Sequence, residues 1–153
     1  MKKKIIIIAE AGVNHNGNLV LAKKLALSAK KSGADIVKFQ TWITDQIILP
    51  NTKKLSYQLD SNDNQYDMLK KLELSFKHFE ELNRFCKKIK IKFLSTADDV
   101  KSLRFLNRLQ NYFKVGSPDF NNFQLIDEIT KFKKHIFLST GLSSSADIDK
   151  TLK

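Results

Sequence analysis

Apolar side chains recur along this chain in two rhythms. Short β-branched or aromatic runs, Ile5 to Ala9, Ile36 to Phe39, Lys92 to Ser95, Tyr112 to Val115 and Ile136 to Ser139, are separated by stretches in which apolar residues return every three or four positions. The first rhythm belongs to strands and the second to helices with one apolar face. Leu19, Ala22, Leu25, Ala26 and Ala29 mark a helix that stops before Gly33. Val100, Leu103 and Leu106 mark another after strand three, and Phe123, Ile126 and Ile129 one after strand four. Ser143-Ser144-Ser145 offers N-cap hydroxyls for a last helix that has barely begun at Lys153. Alternating strands and helices predict an α/β fold, a parallel sheet with crossover helices, in which strand one is buried.

The long connection from Thr41 to Asp63 interrupts this alternation and is followed by helices over about Gln65 to Leu72 and Phe76 to Ile89. Long connections in compact domains are usually functional. It carries Trp42, the only tryptophan, and Tyr57, so it suits either a lid over a substrate or a surface excursion pinned by Trp42. Gly12, Gly17, Gly33, Gly116 and Gly141 fall at or near element ends and punctuate the chain.

Composition narrows the class. The 153 residues suffice for one core, and 42% hydrophobic with 28% charged residues is a globular balance. Lys2-Lys3-Lys4 before Ile5 resembles the start of a signal peptide, but Glu10 breaks the apolar run and no small-residue cleavage site follows. No apolar stretch reaches the roughly 20 residues that span a bilayer, and the single Cys86 allows no internal disulfide. A cytoplasmic protein without a membrane partner is expected. The net charge of +11 raises nucleic acid as a partner. Against it, only Arg84, Arg104 and Arg108 of the 27 basic residues are arginine, and the lysines fall mostly at the spacing of solvated helix faces.

Polar residues gather where parallel strands would end: Glu10, then Lys38 and Gln40, Ser95 and Thr96, Lys114, Ser117 and Asp119, and Ser139 and Thr140. In open α/β sheets and β/α barrels that end carries the chemistry. A lysine inside Val37-Lys38-Phe39 or Phe113-Lys114-Val115 is buried on at least one side, which is costly unless it meets an anion. Two such lysines ask for a phosphate or carboxylate ligand; the alternative is that each pairs with an internal carboxylate or reaches solvent. His15, His78 and His135 lack close metal-ligand spacing, so no metal ligands are assigned. His15 is the one histidine in a plausible functional loop, where loop backbone could equally satisfy it. Cys86 lies on an apolar helix face with Phe79, Leu82 and Phe85 and is read as core. The chain contains no G-x-S-x-G, P-loop or G-x-G-x-x-G motif.

Several stretches together resemble the sialic acid synthase (N-acetylneuraminate synthase) family: Ile7 to Gly17 (IIAEAGVNHNG), Gly33 to Thr41 (GADIVKFQT), Met68 to Ser75 (MLKKLELS), Phe93 to Thr96, Lys114 to Ser117 and Leu138 to Gly141. The resemblance implies the N-terminal part of a (β/α)8 TIM barrel, with about five of eight strands within residues 1–153. It implies condensation of phosphoenolpyruvate with an N-acylated hexosamine such as N-acetylmannosamine, giving a nine-carbon 2-keto sugar acid of the sialic, legionaminic or pseudaminic type. By the same resemblance Lys38, Lys114, Ser117 and Ser139 hold phosphoenolpyruvate, and Glu10 contacts the amino sugar. Gln40, Asn14 and His15 line the same pocket, and Asp119 serves proton transfer or water activation.

The chain departs from the family pattern at Pro118 and Asp119, where Gly-Glu is common, and at Ala97, where proline is usual. Family members are more than twice as long, with three further strands, metal-binding histidines and a C-terminal antifreeze-like domain that residues 1–153 do not include. A divalent cation, Mn or Mg, is expected for the family with ligands outside this chain. Five strands leave open edges, so a homo-oligomer or a complementing chain is expected. Two classes remain: half of a synthase, or a non-catalytic fragment that binds phosphate or a partner.

Overall fold

In the computed structural model, residues 5–52, 64–141 and 143–153 are described. Five strands and seven α-helices alternate along them. Strand β1 (Ile8–Gly12) leads into α1 (Leu19–Lys31), and β2 (Ile36–Thr41) into α2 (Thr44–Ile47). Then come α3 (Gln65–Leu72), α4 (Phe76–Lys88), β3 (Lys92–Ala97), α5 (Val100–Leu106) and β4 (Tyr112–Val115). A 3-10 turn over Ser117–Asp119 precedes α6 (Phe123–Thr130), β5 (His135–Leu138) and α7 (Ser145–Leu152).

Helix starts follow local chemistry. Every α-helix except the four-residue α2 opens on a side-chain oxygen that accepts a backbone N–H of the first turn: Asn18, Asn64, Ser75, Asp99, Asn122 and Ser144 in order. Each such cap satisfies donors the helix leaves free and is worth about 1 kcal/mol. Ser144 and Asp147 form a full capping box, as the Ser143–Ser145 run suggests.

All strand pairs are parallel. β1, β2 and β3 form one sheet in that order and β4 with β5 a second, with β4 running alongside β3. Where the two sheets meet, the Gln110 side chain takes the place of a neighbouring strand. Its carbonyl accepts the Ser95 N–H at 2.7 Å and its amide donates to the Ser95 carbonyl at 3.0 Å, both buried.

Side-chain alternation divides each strand between two faces. Val37, Phe39, Phe93, Ala97, Phe113 and Val115 join the core under the helices, where Ala22, Ala26 and Ala29 of α1 meet Phe79, Leu82 and Cys86 of α4. Lys38, Thr96 and Lys114 take the other face. Cys86 is fully buried with its thiol pushed up to about 12 by burial, which fits a core residue.

The reading of strand one needs correction. β1 starts at Ile8 rather than Ile5, and Ile5, Ile6 and Ile7 are exposed, Ile5 by 82%. Pairing with β2 begins only where the Ile7 carbonyl accepts the N–H groups of Asp35 and Ile36, and no described strand lies on the far side of β1 to cover the isoleucines. Trp42 is buried and donates to Thr44 Oγ1 at 3.2 Å, so it pins the start of the long connection, one of the two alternatives the sequence left open. Thr44 is in turn held by Glu73 Oε2 through its N–H and its hydroxyl. Tyr57, the other aromatic of that connection, lies outside the described residues.

Candidate functional site

At the C-terminal ends of β2, β3 and β4 a cavity of about 500 Å³ opens, walled by Lys38, Gln40, Thr96 and Lys114 from the strands. Asp98, Gly116, Pro118, Asp119 and Asn122 close it from the turns, and Gln46 and Ile47 from α2.

Lys38 points inward because its neighbours Val37 and Phe39 take the helix side. Its ammonium lies 2.6 Å from Glu10 Oε2 and 3.4 Å from Thr96 Oγ1. Glu10 reaches it because the two residues are register partners across β1 and β2. Immediately after Glu10 the register slips, leaving Ala11 as a bulge, and Gly12 turns with φ +52°. A Cβ at Gly12 would stand 3.4 Å from Glu10 Oε1 and 3.7 Å from Gln40 Oε1, so the bulge brings the backbone close against two site side chains.

Lys114 donates to its neighbour's carbonyl, Val115 O, at 3.0 Å and to the Ser139 hydroxyl. No carboxylate among the described residues pairs with it at ion-pair distance. Burial, and secondly the Lys38 ammonium, hold it below the usual lysine range, with Glu10 pulling weakly the other way. Of the two inward ammonium groups, only Lys38 has a carboxylate at ion-pair distance among the described residues, the half-exposed Glu10. Ser139 follows β5 and is fixed by its N–H to the Val115 carbonyl, 3.1 Å. Ser117 sits against the next loop, its Oγ 2.9 Å from where a Cβ on Gly141 would be, so glycine there lets the turns after β4 and β5 touch. Pro118 fits the first turn of the 3-10 element, where a missing N–H costs little.

Of the residues singled out from sequence, Lys38, Gln40, Lys114 and Asp119 form the cavity, with Glu10 and Ser139 joined to it through the two lysines. Ser117 stands beside the wall, between Gly116 and Pro118 and against Gly141, without lining it, and two expected members, Asn14 and His15, lie elsewhere, as does Ser95. Asn14 is exposed in the turn after β1 and is not part of the wall. His15 is 1% exposed with its ring 6.1 Å from Phe39, on the core side of the sheet. Its Nδ1 accepts the Gly17 N–H at 3.1 Å, so the loop backbone satisfies it on that side, and burial lowers its pKa. Its Nε2 has no partner among the described residues. Ser95 also faces the core, its hydroxyl 2.7 Å from Thr41 Oγ1, because alternation sends Thr96 and not Ser95 inward.

Asp98, Gln46 and Asn122 were not anticipated. Asp98 and Asp99 form an acidic pair before a helix, and such a pair reads as one N-cap with a solvated neighbour. Asp99 is that cap: it accepts from Ser102 N, Ser102 Oγ and Ile43 N at 2.8, 2.5 and 2.9 Å. Asp98 instead faces the cavity. Burial first, then the charges of Asp119 and Asp99, push its carboxyl up to about 7 against the pull of Lys38. Among the described residues no group of three or more His, Cys, Asp or Glu stands together to hold a metal ion, so they do not by themselves fit the expected divalent cation. No described helix is long and apolar enough to cross a membrane.

The NeuB family model matches residues 25–153. N,N'-diacetyllegionaminic acid synthase of Campylobacter jejuni is 46% identical over 98% of this chain and 46% of its own length. Human N-acetylneuraminate-9-phosphate synthase is 33% identical over 90% of this chain and 39% of its own. Among solved structures, the N-acetylneuraminic acid synthetase of Leptospira borgpetersenii in complex with citrate superposes with a TM-score of 0.83 at 27% identity, covering 98% of this chain and 49% of that one. The chain spans less than half the length of the curated relatives it matches.

Proposed function

This chain belongs to the NeuB family, and on that premise we propose that it supplies the phosphoenolpyruvate-holding part of a synthase that joins phosphoenolpyruvate to an N-acylated hexosamine, N-acetylmannosamine or a close analogue. The product is a nine-carbon 2-keto sugar acid of the sialic, legionaminic or pseudaminic class. The observation that carries this reading is the pair of inward lysines, Lys38 and Lys114, whose one carboxylate neighbour at ion-pair distance among the described residues is Glu10. An anion with two charged ends, a phosphate and a carboxylate, relieves both ammonium groups at once.

In this reading Lys38, Lys114, Ser117 and Ser139 hold the two charged ends of phosphoenolpyruvate, and Glu10 stands at the edge toward the amino sugar. Fixing the methylene carbon against the acceptor's carbonyl turns a two-body encounter into a positioned one. The lysines stay close to the phosphate as it departs. In the same reading Asp119, which lines the cavity and accepts from Asn122 Nδ2 at 3.3 Å, takes a proton from the attacking water. A divalent cation, expected for the family with ligands outside this chain, would supply polarisation of the acceptor's carbonyl.

The second reading, an anion-binding module without turnover, keeps the lysine site but not the reaction. The uncovered isoleucines before β1 and the exposed Ile136 on β5 are surfaces through which such a module would meet a partner or another copy. The experiment is phosphate release by the purified chain given phosphoenolpyruvate, N-acetylmannosamine and Mn²⁺, beside calorimetric binding of phosphoenolpyruvate. Release above a Lys38→Ala control supports the synthase. Binding without release supports the module. Binding that neither Lys38→Ala nor Lys114→Ala weakens overturns both.

A further inference from the structure

The cavity holds one carboxylate whose place the reading above does not explain. Asp98 is the first residue after β3, its N–H fixed to the Thr41 carbonyl at 3.1 Å, so the backbone sets its position. The residue lines the lysine cavity and also an adjoining cavity of about 420 Å³ bounded by Val100, Lys101, Arg104 and Gln124. Asp98, together with Gln46 and Asn122, therefore stands between the anion site and a second polar chamber.

Among the described residues its carboxylate receives no hydrogen bond and no ion pair, in contrast to Asp99, which has three donors. A half-buried carboxylate with no protein donor relies on cavity water alone, and partial burial beside other negative charges favours its protonated form. The charged groups nearest it are Asp119 from the turn after β4, Asp99 from its own segment and Lys38 from β2, with Lys114 on the same wall; across the second cavity stand Lys101 and Arg104 of α5, the latter held by Glu128 at 2.7 Å. Two of the first three are negative, and a phosphate seated between the lysines adds more negative charge beside it.

We propose that Asp98 is the proton-carrying acid of this site: it takes up a proton as a phospho-carboxylate ligand binds, and gives it to the acceptor's carbonyl oxygen in the bond-forming step. The inference rests on the function proposed above. As the enol π pair of phosphoenolpyruvate forms the new C–C bond, the carbonyl π pair moves to its oxygen, which takes the Asp98 proton. Water then adds to the cationic C2 and gives one proton to Asp119. The resulting hemiketal collapses to the ketone as the C–O bond to phosphate breaks, the departing phosphate taking the hemiketal proton. Asp119 returns its proton to Asp98, and the pair is reset.

The test compares the full chain with Asp98→Asn. Carboxyl 13C titration of the ligand-free protein should place the Asp98 midpoint close to neutrality; a midpoint in the ordinary aspartate range overturns the inference whatever binds. Calorimetry with phosphoenolpyruvate at pH 8, in buffers of different ionisation enthalpy, should show up to about one proton more taken up by the native chain than by the variant. Equal uptake, with binding intact, overturns the role of Asp98 and leaves the proposed function standing. Failure of the native chain to bind phosphoenolpyruvate overturns the proposed function and this inference with it. In the phosphate-release assay the native rate should fall as pH rises through the Asp98 midpoint, while the variant keeps a slow rate without that limb. A variant with the native rate and profile overturns the donor role.

Discussion

Glu10 and Lys38 are register partners on adjacent parallel strands, and their charges meet at 2.6 Å on the inner face of the sheet. The pair is asymmetric: the Lys38 side chain is 12% exposed and that of Glu10 is 57%. The carboxylate thus acts as a solvated counter-ion on a mostly buried cation, and an incoming anion competes with it. Glu10→Gln should tighten phosphoenolpyruvate binding by about two- to fivefold, the worth of one partly screened charge. Lys38→Ala should weaken it by tenfold or more, on the order of 1.4 kcal/mol. Calorimetric titration of both variants checks the opposite signs; weakening in both would mean that Glu10 orders the lysine rather than competes for it.

Adjacent residues Asp98 and Asp99 should respond oppositely to neutralisation. Asp99→Ala removes the acceptor of three hydrogen bonds, two that cap α5 and one that ties it to Ile43 after β2, and should cost about 2–4 kcal/mol in urea unfolding. Asp98 has its carboxyl raised from 3.8 to about 7, so across that window the folded chain keeps a proton that the unfolded chain releases. Its contribution to stability therefore falls as pH rises from 4 to 7. Asp98→Asn should melt higher than the native chain at pH 8 and no higher at pH 4. A constant difference between the two would contradict the assignment.

Gly17 has φ +69°, and a Cβ there would lie 2.1 Å from the Lys71 carbonyl oxygen at the end of α3. Backbone against backbone cannot yield as a side-chain tip can. Gly17→Ala should cost about 2 kcal/mol or more, well beyond the conformational term alone. Thermal melts of this variant and of Gly33→Ala separate the two effects, because Gly33 has φ +85° with nothing within 4 Å of its Cβ position.

Cys86 is buried against α1 and β3, and its thiol, raised to about 12, stays protonated at neutral pH. Iodoacetamide at pH 8 should label it only after unfolding. Labelling of the native protein at the rate of a free thiol would show that α4 opens locally.

Much of this is readable in the order of residues. β4 coincides with its apolar run to the residue, and the last helix begins at the serines expected to cap it. The inward lysines follow from period-two alternation alone, since Val37 and Phe39 can only face the helices. The same rule separates Ser95 from Thr96, because adjacent strand residues cannot both face one cavity. The start of β1 is harder to read, because the run from Ile5 to Ile8 signals apolarity, whereas pairing depends on where a neighbouring strand begins. Ala9 closes that run, so its apolar character ends just before the residue that matters most, Glu10. Asp98 is illegible for another reason: in Asp98-Asp99 either residue could cap α5, and only the path of the backbone decides which is left over.

The seam between the two sheets is closed by a side chain. At Ser95 the amide of Gln110 does what a strand's peptide groups do elsewhere, so the polar part of the junction between β3 and β4, beside their shared apolar core, depends on one side chain rather than on a ladder of main-chain bonds. A backbone ladder survives nearly any substitution, but this junction does not: Gln110→Leu leaves both the N–H and the carbonyl of Ser95 unmet, and Gln110→Glu keeps the acceptor but loses the donor. The wall that carries Lys38 and the wall that carries Lys114 are thus joined at a point that mutation can loosen without touching either lysine.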